Sequence, residues 1–135
     1  MQGTLRRAPT ATDNRSKRIL IVDDSDVVRH GIRAFLERSG YVCMEASDGA
    51  DAITKARQLK PDLIVMDLVM PGINGIEATS VIRTTMPKLP IIAFTMYESM
   101  AKSLTSKLAI STVVSKPDGL SKLVESIQSV LGQAS

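Results

Sequence analysis

Cysteine and histidine are almost missing from this chain, with Cys43 and His30 their only representatives. One cysteine rules out a disulfide framework and any cysteine-based zinc site. It also suits a reducing compartment, so the expected location is cytoplasmic. A lone histidine with no second His or Cys is not a metal site. His30, beside Arg29 and Arg33, reads as a solvated residue on the polar side of a helix. No apolar run approaches the roughly 20 residues of a membrane span. The N-terminus lacks the apolar core of a signal peptide. The 135 residues suit one domain better than two.

Charge of one sign is also scarce once the chain is divided. Residues 1–18 carry Arg6, Arg7, Arg15, Lys17 and Arg18 against Asp13, a net +4. Residues 19–135 carry 12 bases against 13 acids. A basic tail is able to touch nucleic acid or anionic lipid. Its Thr/Ala/Arg/Pro composition and lack of periodicity predict instead a disordered leader over residues 1–16. The near-neutral remainder has no recognition module, which argues against DNA binding.

What the chain does have is chemistry at the ends of apolar runs. Asp23-Asp24 closes Ile19-Leu20-Ile21-Val22. Asp67 closes Leu63-Ile64-Val65-Met66. Thr95 closes Ile91-Ile92-Ala93-Phe94, and Lys116 follows Val113-Val114. A short apolar run followed by a helical pattern reads as a buried parallel strand. Ligand sites in open parallel sheets lie outside the carboxyl ends of the strands. The acids, the hydroxyl and the ammonium are therefore expected at one sheet edge.

The coarse pattern is five strand–helix units. Strands are expected at Arg18 to Asp23, Tyr41 to Ala46, Leu63 to Met66, Ile91 to Phe94 and Thr112 to Ser115. Glu45 and partial alternation mark the second as an edge strand. The first helix runs from Ser25 to Arg38, with Val28, Ile32, Phe35 and Leu36 as its stripe. The second opens at Asp48-Gly49, faces inward with Ile53, Ala56 and Leu59, and stops at Lys60-Pro61. The third carries Ala78, Val81, Ile82 and Met86 after the turn-rich loop Met70 to Gly75. The fourth, Glu98 to Lys107, has only a weak stripe of Met100, Leu104 and Leu108. The last carries Leu120, Leu123, Val124, Ile127, Val130 and Leu131. No room is expected for a second folded domain after residue 131. The prediction is an α/β doubly wound parallel sheet with helices on both faces.

Three carboxylates at one edge repel one another unless a cation lies between them. Oxygen donors without His or Cys point to Mg²⁺, or Mn²⁺ in its place. Taken singly, each acid also fits a helix N-cap, Asp24 above all. A carboxylate beside Mg²⁺ is able to act as a nucleophile toward phosphorus, giving an aspartyl phosphate. A metal, a Lys ammonium and a hydroxyl suit the charge on the transferred group. The alternative role for Lys116 is a salt bridge to the acids.

The ordered set resembles a bacterial two-component response-regulator receiver domain, of the single-domain chemotaxis-regulator kind. The resemblance spans about residues 17–131. It rests on Ile-Val-Asp-Asp at 21–24, Met-Asp-Leu-Val-Met-Pro-Gly at 66–72, Asn-Gly at 74–75, Leu-Pro-Ile-Ile-Ala-Phe-Thr at 89–95 and Lys-Pro at 116–117. It implies a flavodoxin-like (βα)5 fold of strand order 2-1-3-4-5, with residues 17–132 as the receiver domain. Asp67 matches the phosphoacceptor. Asp24, Asp67 and the backbone carbonyl of Val69 match the direct Mg²⁺ ligands, and Asp23 helps to hold the ion. Thr95 and Lys116 match the phosphoryl ligands.

The implied function is a stand-alone response regulator. It takes phosphoryl from a histidine kinase or histidine phosphotransfer protein onto Asp67. It then switches the face made by the fourth helix, fifth strand and last helix to control a partner in trans. It is not an enzyme beyond its own phosphorylation and dephosphorylation. A monomer is expected, with phosphorylation-linked dimerisation through the fourth and last helices left open.

Several positions depart from the family pattern. Val113 stands where receivers commonly carry the aromatic residue that turns inward with the Thr. Met96 follows Thr95 where a small residue is usual. Val69 and Tyr97 occupy positions that govern water access, and their bulk predicts slow self-dephosphorylation. Asp118 replaces a usual apolar residue and is expected to cap the last helix. Three other readings compete: a phosphorylation-independent receiver-fold scaffold, a haloacid-dehalogenase-type phosphatase, and a flavin protein. The phosphatase needs an acid two residues after its nucleophile, where Val69 stands. The flavin reading needs phosphate-cradling glycines in the first strand–helix turn, where acids stand.

Overall fold

The computed structural model describes residues 17–70, 72 and 74–133. The tail expected over residues 1–16 lies outside them, as do Pro71 and Ile73 of the loop before the third helix. Five strands form one sheet: β1 (Arg18–Val22), β2 (Val42–Ala46), β3 (Leu63–Met66), β4 (Ile91–Thr95) and β5 (Thr112–Ser115). Their order is β2-β1-β3-β4-β5 and every neighbouring pair is parallel. The expected 2-1-3-4-5 arrangement is present, with Glu45 on an edge strand. β3 and β4 are buried at every residue, as interior parallel strands should be.

The helices are α1 (Asp26–Arg38), α2 (Gly49–Leu59), α3 (Gly75–Thr85), α4 (Glu98–Ser103), α5 (Thr105–Leu108) and α6 (Gly119–Val130). Alternation along the strands divides the core between the two sheet faces. Ile19, Ile21, Val65, Ile92 and Phe94 pack with Ile32 and Leu36 of α1 and with Leu123 and Ile127 of α6. Leu20, Val22, Ile64, Met66 and Ala93 pack with α2 to α5. Small residues meet the sheet there: Ala52 and Ala56 of α2 and Ala78 of α3 are fully buried. The inward stripe of α2 is therefore centred on Ala52 and Ala56, with Ile53 at its margin.

Each early helix is started by a short polar side chain. Ser25 accepts from Val28 N, Asp48 from Asp51 N, and Asn74 forms a capping box with Glu77. At the end of α2, Lys60 adopts a left-handed φ of 48°. The guanidinium of Arg18 donates to the carbonyls of Leu59 and Lys60 there, satisfying groups that the helix leaves open.

The continuous fourth helix expected over Glu98 to Lys107 is broken at Leu104, and Ala101 faces inward while Met100 stays 37% exposed. Hydroxyls explain the break. Ser103 Oγ donates to Met100 O and Thr105 Oγ1 to Ala101 O, competing with the main chain for helix carbonyls. The segment's far end is held by Arg83 of α3. Its guanidinium donates to the carbonyls of Leu108 and Ala109 on one side and of Met86 and Leu89 on the other.

Candidate functional site

The ladders carry the acids to one place. Asp23 N donates to Ala46 O and Asp67 N donates to Val22 O at 2.9 Å, each one residue past its strand. Asp23 and Asp67 are buried, while Asp24 is exposed. Carboxylate oxygens of Asp23, Asp24 and Asp67 all lie within 4.8 Å of one another. None of the three caps a helix, since Ser25, Asp48 and Asn74 do that work.

Lys116 enters from the end of β5. Its Nζ lies 2.8 Å from Asp23 Oδ2 and 3.3 Å from Asp67 Oδ2. The remaining oxygens are also held: Ser25 N donates to Asp23 Oδ1 at 2.9 Å, and Val69 N to Asp67 Oδ1 at 3.3 Å. Burial pushes the Asp67 carboxyl above its ordinary range, and the neighbouring Asp23 charge adds to this. Lys116 and the Val69 N–H offset only part of that rise. Burial alone would lower the Lys116 ammonium, but its bond to Asp23 and the Asp67 charge outweigh burial and raise it. Lys116 is thus a cation at neutral pH.

Thr95 ends β4 and is fully buried. Its Oγ1 accepts from Tyr97 N at 3.0 Å, so its hydroxyl is engaged with the start of α4 and not with the acids. Val69, Met96 and Tyr97 are 42%, 62% and 57% exposed. Val113 packs among the residues facing α4. Asp118 stands at the N-cap position of α6, but its side chain makes no capping bond. Its φ and ψ of −73° and −13° are helical, because Lys116–Asp118 form a 3-10 turn. The expected cap is therefore not made by its side chain.

Two features near the site were not read from the sequence. Arg29, placed on the polar side of α1, is buried and donates to Asp23 O at 2.8 Å and Glu45 Oε1 at 2.7 Å. Its spacing of three from Asp26 was the available signal. Gly75 brings the start of α3 against the main chain of Asp67 and Leu68. His30, 64% exposed, lies 3.4 Å from Glu45.

The matching family model, response regulator receiver domain, covers residues 19–128. The chain belongs to the response regulator receiver family. The receiver is 34% identical over 116 residues to the chemotaxis protein CheY of Thermotoga maritima, covering 84% of this chain and 97% of that one. It is 43% identical over 82 residues to the response regulator VraR of Staphylococcus epidermidis, covering 59% of this chain and 39% of that protein. The chain thus spans about half or less of the length of the curated relatives it matches first. Among solved structures, the receiver resembles the Thermotoga maritima response regulator TrrA in complex with Mg²⁺ and BeF. That match has TM-score 0.77 and 34% identity over 84% of this chain and 97% of that one.

The matched part of the chain, residues 19–128, is a two-component receiver domain, a signalling module. Its acidic cluster has the composition of a Mg²⁺ site. The donors are all carboxylate oxygens, which suits a hard divalent cation. Among the described residues, no helix is long and apolar enough to cross a membrane.

Proposed function

We propose that Asp67 accepts a phosphoryl group from a histidine kinase or histidine phosphotransfer protein, and that the phosphorylated receiver is read by a separate partner protein. The observation that carries this reading is Lys116 bridging Asp23 and Asp67 beside an oxygen-only acid cluster. Asp23, Asp24, Asp67 and the Val69 carbonyl would hold Mg²⁺. Bound Mg²⁺ supplies positive charge that offsets repulsion among the carboxylates and on the transferred oxygens.

In the transfer, an Asp67 carboxylate oxygen attacks the donor phosphorus. The oxygen–phosphorus bond forms as the donor's phosphorus–nitrogen bond breaks, and the electron pair leaves with the imidazole. Lys116 turns from Asp67's carboxylate toward a phosphoryl oxygen. An apolar groove of 290 Å³ beside Lys116, lined by Val27, Val28, Gly31 and Leu120, offers the donor a docking surface. Val27 is 83% exposed at its rim.

Switching starts at Thr95. While accepting from the Tyr97 N–H, the Thr95 hydroxyl keeps its own proton to donate, so a swing of the side chain toward the phosphoryl group would stretch or break the Tyr97 bond. Loosening that bond would free a backbone donor before α4 and bias its conformation. This main-chain link replaces the side-chain relay that Val113 is too small to provide.

Addition of beryllofluoride with Mg²⁺, with Asp67→Asn as control, tests the reading through amide chemical shifts. Shifts at Thr95, Tyr97 and Lys116 that spread through α4 and vanish in the variant support the switch. Shifts confined to the acids would leave phosphate binding without switching. No response would favour a phosphorylation-independent scaffold, the reading that Val113 supports.

A further inference from the structure

Arg29 is the one buried lysine or arginine among the described residues. Each nitrogen of its guanidinium makes a hydrogen bond. Nη1 donates to the Asp23 carbonyl at 2.8 Å, Nε to Glu45 Oε1 at 2.7 Å, and Nη2 to the Asp26 carboxylate. The Asp23 carbonyl belongs to the peptide that joins Asp23 to Asp24. Because a peptide is planar, holding that oxygen fixes the direction in which the chain delivers Asp24. The Asp23 side chain has its own restraints in Ser25 N and Lys116. The exposed Asp24 depends on the main chain.

We propose that Arg29 is a positioning residue for the metal centre, holding the Asp23–Asp24 peptide so that the Asp24 carboxylate converges with those of Asp23 and Asp67. The proposal rests on the metal-binding reading of that cluster. Glu45, on edge strand β2, is the anchor that holds the guanidinium in place, and Arg33 braces Glu45 at 2.9 Å. Charge and positioning predict opposite signs. A guanidinium near a cation site repels the cation, so a pure charge effect would make Mg²⁺ bind more tightly once Arg29 is removed. Loss of positioning makes it bind more weakly, and outer partners of metal ligands typically change affinity by about tenfold or more.

The test titrates Mg²⁺ into the unphosphorylated chain, Arg29→Met, Arg29→Lys and Glu45→Gln, following amide shifts of residues 23–26 and 67–69. Acetyl phosphate phosphorylation is measured in parallel against Mg²⁺ concentration. The Mg²⁺ dissociation constant should rise about tenfold in Arg29→Met. Arg29→Lys, which keeps the charge but only one donor nitrogen, should fall between, and Glu45→Gln should shift the same way less strongly. The loss should appear in the Mg²⁺ needed for half-maximal phosphorylation more than in the rate at saturation. A merely structural role would lower the urea midpoint and leave the Mg²⁺ constant alone. Unchanged or tighter binding in folded Arg29→Met overturns the proposal and leaves the metal site standing. If Arg29→Met does not fold, unchanged constants in both other variants overturn it. Absence of Mg²⁺-dependent shifts in the unaltered chain overturns the metal reading and the proposal together.

Discussion

Gly75 lies flat against the main chain of Asp67. A β-carbon there would overlap the Asp67 carbonyl and come within 2.6 Å of Leu68 Cα. Both contacts are backbone, so neither yields by a rotamer change. Gly75→Ala must push the start of α3 away from Asp67, the proposed phosphoacceptor, or displace Asp67 itself. Overpacking of this kind costs about 1–3 kcal/mol. The expected result is a lower urea midpoint together with a loss of acetyl phosphate reactivity that excess Mg²⁺ does not restore.

Asp67 is costly to the fold that carries it. Its carboxyl is raised above the ordinary value near 3.8, first by burial. For a raised acid the penalty is absent below the ordinary value, grows as pH climbs toward the raised one, and is complete above it. Asp67→Asn should therefore stabilise the metal-free protein at pH 7 by on the order of 1 kcal/mol. The gain should fade below about pH 3.8. Mg²⁺ should stabilise the unaltered chain more than the variant. Urea titrations with and without Mg²⁺ check both points.

Glu45 has the opposite sign. Burial alone would raise its carboxyl, but hydrogen bonds from Arg33 and Arg29 outweigh burial and hold it below the usual 4.5, with His30 adding to the effect. A lowered acid contributes stability above its unfolded value and loses it as pH falls through the folded one. Glu45→Gln should cost about 2 kcal/mol at pH 7. It should also flatten the decline in stability below pH 4.5. Urea midpoints across the acid range give the comparison.

The edge position of β2 and the meeting of Asp23, Asp24, Asp67 and Lys116 were legible in the sequence, because strand ends are marked by composition and a parallel sheet gathers them at one edge. The strand order came from the family resemblance, not from composition. Arg29 was not legible. Amphipathic patterning assigns an arginine to solvent, and only the third dimension shows a carbonyl, Glu45 and Asp26 converging on it. The break at Leu104 was hidden for a related reason. Helix periodicity counts apolar residues and ignores hydroxyls that take helix carbonyls. The same blindness applied to Asp118, whose residue type suits a cap but whose helical backbone does not present it as one.

Cys43 should behave as an inert thiol. It is a buried residue of β2 and its pKa is pushed up to about 12, chiefly by burial. Against a free thiol near 8.5, that lowers the thiolate fraction at pH 8 by roughly a thousandfold. Ellman's reagent should label the native protein more than about a hundred times more slowly than the urea-unfolded chain. Rapid labelling of the native state would place Cys43 nearer the surface than it stands here.

Val69 is expected to bear on the lifetime of the proposed phosphoryl group. Its N–H holds Asp67 Oδ1, and its side chain, 42% exposed, offers water no polar anchor. Val69→Asn would supply an amide able to orient an attacking water. The expected result is faster loss of phosphate by about tenfold, a small share of what positioning contributes. A phosphate lifetime equal to that of the unaltered chain would refute the role given to Val69.

The grip of Arg83 has a mechanical meaning. Leu108 and Ala109 are tied through one guanidinium to Met86 and Leu89, so the stretch from Thr95 to α5 is a strip pinned at its far end. A push delivered at Thr95 has nowhere to travel beyond the pin. Under the proposed switch it would be absorbed on the way at Leu104, where the helix is already interrupted. If the proposed switch at Thr95 operates, α4 would move as the arm of a short lever with Leu104 as its fulcrum, and α5 would stay behind.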